Sequence, residues 1–189
     1  RDRPPRLALS GSAGVGKTTL GRALAKQYGV PYIPEGMRSR LEAGLSLHDL
    51  THPQLAALIQ ELWAEQCAAE DAAIASHGGF IADRSAVDYA AFWLHYRFTD
   101  DQHTTEAFFA STLSRISTYD RIVLLPWGVL PLVADGIRSS NPWLQRHFQV
   151  LVEGLLHREV EAERLLVMPD VVALEHRLRL ISEALTAGE

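Results

Sequence analysis

The chain has 189 residues, 47% of them hydrophobic and 22% charged, with a formal net charge of −5. That size and balance suit one globular domain spanning 1–189 with a substantial core. The acidic balance argues against broad nucleic-acid or anionic-membrane binding, because both need a basic face. A single cysteine, Cys67, excludes an internal disulfide and cysteine-rich zinc sites, and the eight histidines show no metal-ligand spacing.

In chain order, Arg1 to Arg6 has no apolar segment behind it, so no signal peptide is predicted. Leu7, Ala8 and Leu9 read as a short buried strand. The next stretch, Gly11-Ser12-Ala13-Gly14-Val15-Gly16-Lys17-Thr18, fits G-x-x-x-x-G-K-[ST] without a mismatch. Its glycines allow positive φ, so successive amides can face a polyphosphate. Lys17 can reach the β- and γ-phosphates, Thr18 can ligate Mg²⁺, and the helix expected from Thr18 and Thr19 onward favours an anion at its start. Leu20, Ala23, Leu24 and Tyr28 give that helix its apolar stripe, and Gly29 ends it.

Pro31 to Pro34 is predicted as a strand ending at Glu35, and Gly36 to Leu45 as a helix carrying Arg38 and Arg40. His52-Pro53 opens a long helix that runs to about Ser76 and stops at Gly78-Gly79; Cys67 sits in it as a small buried hydrophobe. Phe80 to Asp83 is a core strand. Helices are predicted over Ser85–Phe98 and Gln102–Ser117, and Asp120 to Leu125 is a buried strand closed by Pro126. Residues 127–146 read as a Gly- and Pro-rich lid region, followed by a helix over Trp143–Glu161, a strand over Arg164–Met168 and a final helix striped by Val171, Leu174, Leu178, Ile181 and Leu185. The longest apolar stretch, Ile122 to Ala134, is broken by Pro126, Gly128 and Pro131 and falls short of the ~18–20 residues of a membrane span. A cytoplasmic protein is therefore expected.

Strand and helix alternate throughout, which predicts an α/β domain with a parallel sheet covered by helices on both faces. Ligands in such sheets sit at the carboxyl ends of the strands, where Glu35, Asp83 and the phosphate loop all fall. Asp83 is positioned to hold the Mg²⁺ shell or to accept a proton from a substrate hydroxyl, against the plainer role of capping the following helix. Glu35 is a base or a water-mediated ligand, against a surface residue at a helix start. Arg38 and Arg40 can bind an acidic substrate group, with one of them solvated. Arg138 and Arg146 bracket the lid and can neutralise charge that develops in phosphoryl transfer. Trp127 and Trp143 are expected to pack in the core, with a stacking surface for a substrate ring as the alternative.

Together the phosphate loop, Pro34-Glu35 with Arg38, Asp83-Arg84-Ser85 and Pro126-Trp127 with Asp135-Gly136-Ile137-Arg138 resemble the AAA-domain-like P-loop kinases. That group is typified by the ribosylnicotinamide kinase domain of the bacterial NAD-biosynthesis regulator, with fold-level relation to thymidylate and deoxynucleoside kinases. The resemblance covers nearly the whole chain. It implies a P-loop NTPase-type three-layer sandwich with a five-stranded parallel sheet, ATP with Mg²⁺, and γ-phosphate transfer to a small hydroxylated acceptor such as nicotinamide riboside. By position it makes Asp83 the metal-linked or base carboxylate, turns Glu35 toward the acceptor, and gives Arg84 and Arg138 phosphate-binding roles. The regulator's DNA-binding and adenylyltransferase parts are not expected in this stretch. By fold analogy the adenine lies near Pro169 and Asp170. The acceptor and a homodimer stay open. So do a regulatory ATPase or nucleotide switch, and a nucleic-acid-end kinase using a groove of Arg38, Arg40, Arg84 and Arg138.

Overall fold

The computed structural model describes residues 3–131 and 141–188. Five short strands form one parallel sheet: β1 (Arg6–Ser10), β2 (Tyr32–Ile33), β3 (Phe80–Asp83), β4 (Arg121–Leu124) and β5 (Leu165–Val167), in the order β2-β3-β1-β4-β5. The central strand is apolar on both sides because helices cover both faces. Its side chains alternate. Ala8 joins Phe80, Ala82, Ile122 and Leu124 in one cluster, while Leu7 and Leu9 join Ile81, Val123 and Leu125 in the other.

The second cluster is closed by α1 (Lys17–Tyr28), through Leu20 and Leu24, and by α7 (Leu174–Thr186), through Ile181 and Leu185. The first is closed by α3 (His52–His77), α4 (Ala86–His95), α5 (Gln102–Ser114) and α6 (Pro142–Glu159), through Ile59, Leu62, Val87, Trp93, Phe108, Val152 and Leu156. The short helix α2 (Gly36–Glu42) precedes α3.

The predicted element order holds, with shifted boundaries. Pro31 and Pro34 confine β2 to two residues. The helix expected to reach Leu45 stops at Glu42, and Gly44 turns the chain at φ 102°. Beyond Ser114 the predicted fifth helix tightens into a 3₁₀ turn over Arg115–Thr118. The long helix α3 begins as its sequence predicts: Thr51 and Gln54 form a reciprocal capping box, Pro53 sits in the first turn, and Gly78 ends it in the left-handed conformation. Among the described residues no helix is long and apolar enough to cross a membrane.

Candidate active site

Register brings the site together. Leu9 pairs with Asp83 across β1 and β3, and Ser10 pairs with Leu124 across β1 and β4. The loop leaving β1 therefore emerges between two strand ends. Gly11, Gly14 and Gly16 have φ of 138°, 80° and 89°, a region that favours glycine. At Gly16 space adds to the requirement, since a Cβ there would stand 2.8 Å from Nη1 of Arg177.

Lys17 is buried and folds over its own loop, donating to the carbonyls of Gly11 at 2.9 Å and Ser12 at 2.6 Å. Burial, reinforced by the nearby charge of Arg84, lowers its pKa to about 8, with Asp83 and Glu35 pulling the other way. Not every loop amide faces a ligand. Gly11 N–H donates to Asp88 Oδ2 at 3.2 Å, and Ser12 N–H donates to Gln149 Oε1 at 2.8 Å. A depression of about 170 Å³ is lined instead by Ala13, Gly14, Gly16, Lys17, Thr18 and Thr19, with Glu35, Arg38 and Asp83 beside them. Val15 packs into the core while its carbonyl accepts from Arg177 Nη1 at 2.8 Å; Arg177 Nε donates to Val171 O at 2.8 Å, tying the phosphate loop to the segment after β5.

Asp83 ends β3 beside the start of α1. Its Oδ2 accepts from Thr18 Oγ1 at 3.1 Å and from the Tyr32 hydroxyl at 2.8 Å. Its Oδ1 is buried and lacks a hydrogen-bond partner among the described residues, which is a reason to expect a cation there. One hydroxyl and one carboxylate are a donor set that Mg²⁺ accepts when substrate phosphates and water complete its shell. Thr18 and Asp83 thus fit the metal.

Arg84 is the hub of the site. It holds φ of 106°, rare for a residue with a side chain, while its N–H donates to Leu9 O at 2.9 Å and its carbonyl accepts from Gln66 at 2.8 Å. The guanidinium is buried. Nε stands 3.0 Å from Glu35 Oε1, and Nη1 donates to Asp88 Oδ2 at 3.1 Å and to Gly11 O at 2.9 Å. Its Cζ lies over the stacked rings of Phe92 and Phe148, 4.7 and 5.1 Å from their centroids. Burial works against the charge, but Glu35 and Asp88 outweigh it and raise the pKa. The expected strand-end pair Asp83-Arg84 therefore splits its work: the carboxylate faces the phosphate loop and the arginine organises Glu35.

Glu35 borders two spaces. It lines the small depression and also a cavity of about 780 Å³ that runs between α2, α4 and α6. Ala13 is the other residue shared by both.

Other candidates fall elsewhere. Arg40 is bonded to Glu61 and Glu65 of α3, and Arg38 lies by the small depression with Nε on Glu42 at 2.9 Å. With Arg84 buried as well, the basic groove imagined for a nucleic-acid end is not formed by its described members. Arg146 sits over the rings of Trp127 and Trp143 and lines neither space. Trp143 is 72% exposed, which corrects the expectation of core packing; it stands in the first turn of α6, outside the helix's inward stripe. Trp127 is half-buried against the α1/α7 side of the core. Arg138, with Asp135-Gly136-Ile137, lies outside the described residues. Cys67 is half-buried, and burial pushes its thiol up to about 11, unlike a nucleophile.

Sequence reasoning missed Asp88, Gln149, Tyr32 and Gln66. Asp88 had a signal, since Ser85 and Asp88 have capping-box spacing and form that box. The others are joined to the site only by distant packing.

The fold can be set beside known structures. NadR in complex with NAD and AMP-PNP superposes with a TM-score of 0.70 at 19% identity, covering 97% of this chain and 50% of that one. NadR in complex with NR gives 0.69 at 18%, with the same coverage. Deoxyadenosine kinase from M. mycoides with bound dATP gives 0.64 at 14%, covering 96% of this chain and 99% of that one. The chain thus spans half the length of the NadR chains, and these similarities establish a P-loop kinase-like fold. No curated protein matches the chain. Residues 6–168 match the sequence profile of the AAA_28 family, described as an AAA domain, and the chain belongs to that family.

Proposed function

We propose that the chain is an ATP-dependent phosphotransferase acting on a hydroxyl of a small acceptor, in the cytoplasm. The observation that carries this reading is the position of Glu35 on the border between the phosphate depression and the larger cavity. A hydroxyl seated in the cavity would meet the γ-phosphate there. Its oxygen forms the new bond to Pγ as the bond from Pγ to the bridging oxygen breaks, and ADP leaves with that electron pair. The hydroxyl proton passes to the Glu35 carboxylate.

Glu35 is the better base of the two carboxylates. Asp83 accepts from Thr18 and Tyr32 on one oxygen and does not line the larger cavity. Thr18 and Asp83 would hold Mg²⁺, whose charge offsets that of the β- and γ-phosphates. Lys17 leaves the Gly11 and Ser12 carbonyls for phosphate oxygens. Arg84 fixes the Glu35 carboxylate, and its buried charge lies beside the loop where negative charge gathers. Arg138, from the lid, would complete the charge at Pγ.

A NadR structure holds NR, so nicotinamide riboside and other nucleosides are the first acceptors to try. The test is ADP release with and without acceptor, paired with mass spectrometry of the product. Glu35→Gln is expected to lower kcat by about 10²–10⁴ while AMP-PNP still binds. Slow hydrolysis that no acceptor stimulates would favour a nucleotide switch and sink the kinase reading.

A further inference from the structure

The cavity bordered by Glu35 has two ends of unlike chemistry. Ser12, Ala13, Glu35 and Arg84 make its phosphate end. Away from them, α2 and the loop after it contribute Met37, Leu41, Leu45 and Leu47. Phe92 and Tyr96 enter from the side of α4, and Leu144 and Phe148 from α6. We propose that the acceptor is a hydroxylated molecule whose remaining body is largely apolar and bulkier than a nucleoside. The proposal rests on the kinase reading and narrows it.

Three observations carry it. Beyond the phosphate end the polar groups among the described lining residues are those of Ser46, His48, His95 and Gln145 and the Tyr96 hydroxyl. His95 has already joined its Nδ1 to Nδ1 of His147 at 2.8 Å. A nucleoside brings ring nitrogens, exocyclic groups and ribose hydroxyls, and each withdrawn from water without a partner costs binding. An apolar body incurs no such cost. Second, the volume of about 780 Å³ lies in the upper part of the ~300–1,000 Å³ range of small-molecule sites. Third, Leu144 remains 51% exposed although it lines the cavity. An apolar ligand body removes such surface from water, which a sugar does poorly.

The Phe92 and Phe148 rings do not receive this body between them. They stack on each other at 4.5 Å, and Arg84 already lies over both. The free apolar wall is the side made by α2, its following loop and Leu144. There the body would lie, with its hydroxyl directed to Glu35.

The experiment compares kcat/KM under Mg-ATP for two sets of acceptors, with products identified by mass spectrometry. One set is nucleosides: adenosine, cytidine, thymidine and nicotinamide riboside. The other is primary alcohols on aryl-alkyl and fused-ring bodies of increasing size. The expected result is phosphorylation of the second set, with kcat/KM rising about tenfold or more as the body fills the wall. Leu144→Ser, at a half-exposed position that folding tolerates, is expected to lower that kcat/KM by about tenfold. Nucleosides turned over faster than every apolar-bodied alcohol would overturn the proposal and leave the kinase reading standing. ATP hydrolysis with no phosphorylated product from either set would overturn the kinase reading itself.

Discussion

The two ends of the groove are built by opposite means. At the phosphate end, Glu35, Arg84 and Asp88 form a buried run of alternating charge, and Ser10 Oγ donates to Asp88 Oδ1 at 2.5 Å. At the other end the lining is mostly apolar side chains from separate helices and the loop after α2, several of them only partly buried. A buried ion pair survives only when every member is satisfied, so the first end tolerates almost no change. Apolar walls need only suitable volume. One chain can therefore keep its phosphate chemistry fixed while its acceptor varies, and likeness to a known kinase fold says little about what is phosphorylated.

The largest expected effect tests that contrast through stability. Asp88→Ala would leave Arg84 Nη1, the Ser10 and Ser85 hydroxyls and the Gly11 amide without their shared acceptor. Breaking one side of a buried pair costs about 3–5 kcal/mol, so Tm should fall by about 10 °C. Leu144→Ala, at the exposed wall, should move Tm by less than about 2 °C. Thermal melts of both variants compare the two ends directly. Equal shifts would mean that the phosphate end is not the more rigid one.

The same contrast explains what could be read in the sequence. The phosphate loop, the alternation of strands and helices, and the strand-end positions of Glu35 and Asp83 were legible because each depends on neighbours in the chain. Arg84 was legible as a charge but not as a hub, because its partners Glu35, Gln66 and Phe148 are 49, 18 and 64 residues away. Gln149 grips the phosphate loop from α6 across 137 residues, and no local pattern marks it. Trp143 misled because a large aromatic residue at a helix start resembles core, whereas the helix's inward stripe begins beyond it, at Phe148, Val152 and Leu156.

A smaller effect sharpens the phosphate side through pH. With its pKa lowered to about 8, chiefly by burial, Lys17 is charged below that pH and loses its proton above it. A polyphosphate favours the charged form, so nucleotide binding above pH 8 takes up a proton. AMP-PNP affinity should be nearly flat from pH 6.5 to 7.5 and fall by up to about tenfold per pH unit above 8. Binding titrations between pH 6.5 and 9.5 measure this. A flat profile through pH 9.5 would mean that Lys17 stays protonated and that its burial matters less than its geometry implies.

The acceptor side has its own titration, and the effect there should be smallest. His95 of α4 and His147 of α6 share one hydrogen bond between their Nδ1 atoms, so one ring donates and the other accepts. Burial first, then His147 and Arg84, lower the His95 pKa to about 4. Between pH 4 and the ordinary value of 6.5 the unfolded chain binds a proton that the folded chain refuses. Stability from this group is therefore full above 6.5 and is lost as pH falls toward 4. The pair is partly exposed, which weakens the effect. Between pH 7.5 and 5.0 the wild type should lose about 2–4 °C of Tm beyond what His95→Gln loses. Identical losses in the two proteins would show that the α4–α6 contact at the cavity wall does not depend on a neutral His95, and that Phe92 packed on Phe148 holds those helices together by itself.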